Sequence, residues 1–121
     1  SLIKQGYFDL ASGKQCGSDL LYSTARPTAI FASNDDMAAG VIQAAYSLGI
    51  RVPEELSVAG FDDSPVSKQI WPSLTTIRQP IHDMAAQATA SLMNLLRKHD
   101  IEVEHSLPCR LVLRDSTARC Q

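Results

Sequence analysis

The chain has 121 residues, of which 45% are hydrophobic and 20% are charged, as is typical of a folded domain and not of a disordered or collagen-like segment. Its net charge of -2 and its pI near 5.8 argue against a nucleic-acid-binding surface, because phosphate contacts require clustered Lys and Arg. We therefore expect any contact with DNA to come from residues outside this chain.

The cysteine pattern and the first residues indicate the cellular compartment and whether the chain is part of a longer protein. Cys16, Cys109 and Cys120 lack the spacing of metal or redox motifs, and their odd count disfavours a disulfide framework. Free thiols in a reducing cytoplasm are the better interpretation. No apolar run approaches the ~20 residues that span a bilayer, and no secretion signal opens the sequence. Because Ser1 stands inside an apolar phrase without an initiator Met, we expect the chain to be part of a longer protein.

The predicted elements alternate between strand and helix from the start. Residues 2–6 form a short predicted strand with Phe8 directly after it, and Ser12 can cap a helix that runs to about Tyr22. Residues 28–32 are a nearly continuous apolar run, which favours a strand covered on both faces.

The next helix has clear signals at both ends. Asp35 and Asp36 fall in its first turn, where carboxylates face the unpaired N–H groups and the positive end of the helix dipole. Gly49 follows Leu48 in the position that ends a helix.

This helix carries two apolar stripes, more than one sheet needs to cover. One comprises Met37, Val41, Ala44 and Leu48, and the adjoining one comprises Ala38, Ile42 and Ala45. A protein partner could cover the second stripe. A helix wedged between the sheet and a neighbouring helix would explain it equally well, and both explanations stay open at this point.

The second half of the chain continues the alternation. Residues 56–61 are a predicted third strand, and Ser64 followed by Pro65 favours a helix start that Pro72 keeps short. The remaining elements are a strand, an amphipathic helix and a strand, predicted over residues 74–78, 81–97 and 109–114. This order predicts an α/β fold with a mostly parallel open sheet and helices on both faces.

Polar and aromatic side chains directly follow several predicted strands. They are Phe8, Asn34, Asp35, Asp62 and Asp63. Because parallel strands end at one edge of a sheet, where such folds bind ligands, we expect these side chains to converge. An aromatic ring can pack on the flat face of a polyhydroxylated or heteroaromatic ligand while amide and carboxylate groups orient its polar atoms.

Each of these residues also has a structural explanation. Asn34 can cap its helix, Asp35 can serve the helix dipole, and Phe8 can belong to the core. Asp62 is more informative, because Ser64 can supply the following helix cap and leave that carboxylate for another role.

The pattern gives little support to catalysis. His82, His99 and His105 fall in or after the last helix, away from the predicted site, so no nucleophile and histidine pair assembles there. No glycine-rich phosphate-binding motif follows a strand. We therefore predict a protein that is not an enzyme and uses no metal or cofactor.

A receiver-type phospho-acceptor domain is an alternative with a similar length and sheet. Such a domain needs an acidic pair after its first strand and a Lys after its last, where this chain has Tyr7, Phe8, Asp9 and Arg114.

Several phrases resemble the effector-binding core of the LacI/GalR family of bacterial transcription regulators. They are RPTAIFASNDDMAAG at 26–40, VPEELSVAGFDD at 52–63, WPSLTTIRQP at 71–80 and LPCRLVLRDST at 107–117. Such regulators carry an N-terminal helix-turn-helix and hinge helix, followed by a two-lobed core like a periplasmic sugar-binding protein. The resemblance implies that residues 1–121 are the second lobe and tail of that core. The first lobe and the DNA-binding domain then lie outside the chain, and operator DNA is contacted only through the missing N-terminal domain.

The resemblance also implies roles for particular residues. Phe8 would stack on the effector, Asn34 and Asp62 would hold its hydroxyls or ring nitrogens, and Gln79 would reach it from an inter-lobe crossing. Residues 81–106 would pack on the missing lobe or a partner chain. A two-fold homodimer interface is implied at Ala38, Val41, Ile42, Ala45, Val66 and Ile70.

The implied function is that of a cytoplasmic repressor that is not an enzyme and does not contact a membrane. A small effector, a sugar or a nucleoside-like molecule, would shift a two-state equilibrium and so change operator affinity. An exported periplasmic sugar-binding protein shares the architecture and is the alternative.

Overall fold

The computed structural model describes residues 1–97 and 106–119. The chain divides into two compact units, one comprising Ser1–Arg78 with Leu111–Gln121 and the other Gln79–Arg110. Its elements in chain order are α1 (Leu10–Leu21), β1 (Ala29–Phe31), α2 (Asp35–Ser47), β2 (Ser57–Ala59), α3 (Val66–Gln69), β3 (Thr76–Arg78), α4 (Ile81–Leu96) and β4 (Arg110–Val112).

The central strands run parallel. β1 pairs with β2 in parallel along its three residues. Parallel bridges from Ala59 to Thr75 and from Asp62 to Arg78 continue the pairing to β3, which neighbours β4. The α/β class and the mostly parallel pairing are therefore confirmed.

The core of the first unit lies between α2 and the strands. Leu56, Val58 and Leu74 are at most 1% exposed and anchor it. Helix α1 packs along α2 at a glycine contact: a Cβ added to Gly13 would lie 2.3 Å from the carbonyl oxygen of Met37. Only a residue without a side chain allows the two helix backbones to approach so closely.

Both apolar stripes of α2 are buried within the chain itself. Ala38, Val41, Ile42 and Ala45 are at most 3% exposed, because α2 packs against α1, β2 and α3. The wedged helix is therefore the correct explanation of the second stripe. These four side chains are also the α2 part of the predicted homodimer interface; they expose little surface within the chain, and their interface role stays a prediction. The other two predicted interface residues, Val66 and Ile70, are half-buried, and their role stays a prediction.

Two local predictions near the start of the chain are wrong. Residues 2–6 are not a strand, and Leu2 and Ile3 are 62% and 86% exposed. An apolar run becomes a strand only when a neighbouring edge takes up its N–H and C=O groups. Helix α1 is capped by Asp9 and not by Ser12: the Asp9 carboxylate accepts the Ser12 backbone N–H at 2.7 Å.

The predicted cap of α3 is also wrong. The helix covers only Val66–Gln69, its N-cap position is Pro65, and no side chain caps it. Ser64 instead donates its backbone N–H to the Asp35 carboxylate at 2.7 Å. Because Ser64 does not cap α3, its position no longer favours a ligand-binding role for Asp62.

The second unit contains α4, whose boundaries agree with the predicted helix. No residue of α4 is buried, and its apolar side chains Met84, Leu92 and Leu95 are 44–57% exposed. His82 is exposed. His99, His105 and Cys120 lie outside the described residues, as do residues 98–105 of the segment predicted to pack on another lobe or chain. Among the described residues, no helix is long and apolar enough to cross a membrane.

Candidate functional site

Asn34 links two of the predicted site segments. It directly precedes α2, and its Oδ1 accepts the backbone N–H of Met37 at 2.9 Å, so it caps the helix as expected. Its Nδ2 donates to the carbonyl oxygen of Phe8 at 3.0 Å. One side chain therefore fixes the start of α2 and, 26 residues away in sequence, the segment that leads into α1.

Phe8 presents its ring to solvent. The side chain is 66% exposed, so the interpretation of Phe8 as a core residue is wrong. Its φ of 60° is in the left-handed region, which a bulky side chain rarely adopts. Such strain persists only where surrounding contacts impose it, and the Asn34 bond to the Phe8 carbonyl is one of them.

Asp62 and Asp63 form a strained turn at the end of β2. Their φ values are 112° and 56°, and with Phe8 they are the positive-φ residues other than glycine in the described part of the chain. The backbone N–H of Asp62 donates to the carbonyl oxygen of Ile77 at 2.9 Å, which ties the turn to β3. All three strained residues thus follow strands or predicted strands, where sequence analysis placed the site.

Asp35 is buried between these segments. It is 1% exposed; its Oδ2 accepts the Ser64 backbone N–H at 2.7 Å and its Oδ1 accepts the Thr76 hydroxyl at 2.5 Å. Burial raises the pKa of Asp35, the bonds from Thr76 and Ser64 oppose that rise, and the nearby charge of Asp62 adds to it. A chain of contacts therefore connects Phe8, Asn34 and the turn that carries Asp62.

Asp63 has a structural role instead. Its carboxylate, 4% exposed, accepts from Nε of Arg78 at 2.6 Å and from the guanidinium of Arg114. The Ser67 hydroxyl donates to it at 3.2 Å. Burial raises the pKa of Asp63, but the Arg114 and Arg78 contacts outweigh it and hold the pKa at about 2. Sequence analysis placed Asp63 among the candidate ligands and missed both arginines.

The remaining predicted residue is Gln79, which directly follows β3 and belongs to the second unit. Its role stays a prediction. A cavity of about 420 Å³ lies between residues 2–6, α1 and β1; Phe8 contributes to its lining, whereas Asn34 and Asp62 do not. The cavity opens beside β1 along the segment that was predicted as a strand. It therefore overlaps the predicted strand-end site only at Phe8.

The described residues contain no group of three or more His, Cys, Asp and Glu placed to hold a metal ion. The predicted strand-end site comprises the exposed ring of Phe8, the amide of Asn34 and the carboxylate of Asp62. Such groups can hold the flat face and the hydroxyls of a small polar ligand. The strand-end edge therefore has the composition of a binding site.

The chain is similar to known proteins along nearly all of its length. The periplasmic binding protein-like domain family matches residues 3–117. The HTH-type transcriptional regulator DegA of Bacillus subtilis (strain 168) is 45% identical over 120 residues, which cover 98% of this chain and 35% of DegA. The chain thus spans about a third of the length of the curated relatives it matches.

Solved structures show the same likeness. The lac repressor dimer bound to operator and the anti-inducer ONPF matches with a TM-score of 0.89 and 32% identity, covering 94% of this chain and 40% of that one. A LacI family transcriptional regulator from Enterococcus faecium with bound ribose matches with a TM-score of 0.81 and 33% identity, covering 96% of this chain and 43% of that one.

Proposed function

Since the chain belongs to the periplasmic binding protein-like family, in the branch of the LacI/GalR transcription regulators, we propose that it is the ligand-sensing lobe of a bacterial repressor. Its effector is a small sugar or a nucleoside-like molecule, bound at the strand-end edge by Phe8, Asn34 and Asp62. Ribose in the Enterococcus faecium regulator supports this ligand class. The observation that supports the proposal is the hydrogen bond from the Asn34 amide to the backbone carbonyl of the strained, exposed Phe8.

Asn34 keeps hydrogen-bonding capacity for a ligand. An amide has two N–H donors and two acceptor positions, and the contacts to Phe8 and Met37 use one of each. The second N–H and the second lone pair can serve a ligand hydroxyl. Asn34 is only 8% exposed, whereas Phe8, whose backbone carbonyl it contacts, is open to solvent, so in this proposal the ligand reaches the amide from the Phe8 side.

Phe8 and Asp62 supply the complementary interactions. The exposed ring of Phe8 can cover the apolar face of a sugar or a base. The Asp62 carboxylate can accept from hydroxyl or N–H groups, and each hydrogen bond to a charged acceptor contributes roughly 1.5–3 kcal/mol. A rigid edge with these three groups favours a polyhydroxylated ring over an extended or purely apolar ligand.

The rest of the proposed protein follows from the similarity. The chain is the second lobe and tail of a two-lobed core, and operator DNA is bound by an N-terminal domain outside it. The exposed apolar face of α4, with Met84, Leu92 and Leu95, packs on the first lobe or on a partner chain. A homodimer forms through the surface that includes Val66 and Ile70. The protein acts in the cytoplasm as a regulator and not as an enzyme: effector binding shifts a two-state equilibrium, and the shift changes operator affinity.

A thermal-shift screen of the whole protein tests this proposal. D-Ribose, D-galactose, D-glucose, adenosine and guanosine are each added, and a ligand that binds only the native form raises the midpoint of unfolding. The matched variants are Asp62→Ala and Asp36→Asn, since Asp36 is exposed and has no part in the proposed site. We expect Asp62→Ala to lose the shift and Asp36→Asn to keep it. A shift that survives in Asp62→Ala would contradict the assignment of that carboxylate.

An exported sugar-binding protein remains the second candidate, because it shares the two-lobed architecture. Operator binding by the whole protein that responds to the active sugar separates the two.

A further inference from the structure

The Asp35 carboxylate joins three parts of the first unit. It stands in the first turn of α2, accepts Ser64 N–H from the turn after β2 at 2.7 Å, and accepts the Thr76 hydroxyl from β3 at 2.5 Å. Thr76 is 0% exposed and Asp35 is 1% exposed, so water does not replace either bond. The neighbouring Asp36 is exposed, which shows that position in the first turn does not require this burial.

We propose that Asp35 is a positioning residue of the effector site, which holds the Asp62–Asp63 turn in the place where Asp62 meets the ligand. This inference rests on the proposed function. Two successive positive φ values make the turn energetically costly unless its surroundings fix it. At the start of the strained pair, the backbone N–H of Asp62 donates to the Ile77 carbonyl oxygen. Directly after the pair, the backbone N–H of Ser64 donates to the Asp35 carboxylate.

The carboxylate itself is held in one position. A Cβ added to Gly60, at the end of β2, would lie 2.4 Å from Oδ1 of Asp35. The glycine backbone therefore packs directly against the carboxylate. With Thr76 on one oxygen and Ser64 on the other, Asp35 has little freedom to move and transmits the position of α2 to the turn.

Asn34 and Asp35 are successive residues that hold opposite flanks of the site. Asn34 holds the Phe8 carbonyl, and Asp35 holds the Ser64 amide. The backbone of Phe8 and the backbone of the turn that carries Asp62 are thus both tied to the start of one helix. Losing the Asp35 contact frees one flank and leaves the other fixed.

Amide hydrogen exchange of the ligand-free whole protein tests the positioning role directly. Asp35→Ala removes both contacts, whereas Asp35→Asn can accept Ser64 N–H with its oxygen and donate to the Thr76 hydroxyl. Loss of a hydrogen bond to a charged acceptor predicts that Ser64 exchange rises about ten- to a hundredfold in Asp35→Ala. We expect a much smaller rise in Asp35→Asn, and none in the matched control Asp36→Ala.

Exchange at core amides of α2 such as Ala44 separates positioning from general loss of stability. Equal acceleration at Ser64 and Ala44 in Asp35→Ala would overturn the proposal, as would unchanged exchange at Ser64. Thr76→Val provides a second variant if Asp35→Ala does not fold: it keeps the side-chain shape and removes the donor to Asp35, together with the acceptor of the Asp63 N–H at 3.4 Å, so Ser64 and not Asp63 is the amide to follow. This variant is expected to accelerate Ser64 exchange more than that of Ala44, and failure to do so would overturn the proposal.

Calorimetric titration of D-ribose into the same whole-protein variants tests the consequence for binding. We expect affinity to fall about tenfold or more in Asp35→Ala and to stay within about threefold of wild type in Asp35→Asn, because only the former loses the contact to the turn. Wild-type affinity in Asp35→Ala, despite faster Ser64 exchange, would overturn the link to the site. If the wild type does not bind D-ribose, the titration uses whichever of the five screened compounds most raises the unfolding midpoint. A wild type that binds none of the five counts against the proposed effector class, and Ser64 exchange still decides the role of Asp35.

Discussion

Neutralising Asp63 should destabilise the protein through the ion pairs that hold the turn after β2. The Asp63 carboxylate is 4% exposed and contacts Arg114, 13% exposed, and Arg78, 52% exposed. Asp63→Asn leaves both guanidinium groups without their anion. Since Arg78 is half-exposed and Arg114 is mostly buried, the loss of the Arg114 contact dominates.

The pKa of Asp63 gives the magnitude. Burial raises it, but the contacts with Arg114 and Arg78 bring it to about 2, against 3.8 for an ordinary carboxyl group. A difference of nearly two pH units corresponds to roughly 2–3 kcal/mol in the free energy of unfolding. Because the folded-state pKa is the lower one, this contribution is complete above pH ~4 and is lost as the pH falls from about 4 towards 2.

Urea-induced unfolding of wild type and Asp63→Asn at pH 7 and at low pH measures both effects. We expect a difference of roughly 2–3 kcal/mol at pH 7 that shrinks as the pH approaches 2. Arg114→Met should cost more than Arg78→Met, and Glu54→Gln, at an exposed site, is the matched control for removing a charge. Equal stability of wild type and Asp63→Asn at pH 7, or a difference independent of pH, would refute this reasoning.

Two further substitutions test the packing of the first unit, with urea unfolding as the measurement. Gly13→Ala places a Cβ 2.3 Å from the Met37 carbonyl oxygen and should cost about 1–3 kcal/mol; unchanged stability would show that α1 and α2 do not approach so closely. Ser116→Ala removes a fully buried hydroxyl that donates to the Val58 carbonyl at 2.6 Å and accepts Thr75 N–H at 2.8 Å, and should cost about 2–3 kcal/mol. A loss below about 0.5 kcal/mol would mean that water or another group satisfies the two backbone atoms.

Sequence analysis located α2 well because its signals are local. Asn34 caps the first turn of α2, and Gly49, which has a φ of 69°, directly follows the C-cap residue Leu48. Both end signals are therefore adjacent to the helix. The alternating order of predicted strands and helices then indicated the α/β class, and the family resemblance, carried by several phrases along the chain, agreed with it. These predictions use signals within contiguous stretches of sequence and the order of those stretches, and need no knowledge of which distant residues are in contact.

The parts that were missed depend on distant residues. Residues 2–6 have a strand-like composition, but whether they form a strand depends on the edge they meet. Ser64 looks like a helix cap in isolation, yet its N–H is taken by Asp35, 29 residues away. Asp35 in turn cannot be told from Asp36 by any local pattern, because its burial follows from Thr76, 41 residues away.

The covered second stripe of α2 has the same kind of cause. The two stripes are covered from different sides: Gly13 and Gly17 of α1 lie against Met37, Val41 and Ala44, while Ala38 of the second stripe lies against Gly60 after β2. Nothing in the α2 sequence itself distinguishes a neighbouring helix from a partner subunit.

The central claim is that Phe8, Asn34 and Asp62 gather around one small ligand at the ends of parallel strands. A crystal structure of the whole protein with the sugar or nucleoside that most raises its unfolding midpoint tests this most directly. The account predicts a ligand ring on the face of Phe8, with polar atoms within hydrogen-bond distance of Asn34 and Asp62. A ligand bound elsewhere, with none of these three side chains in contact, would contradict it.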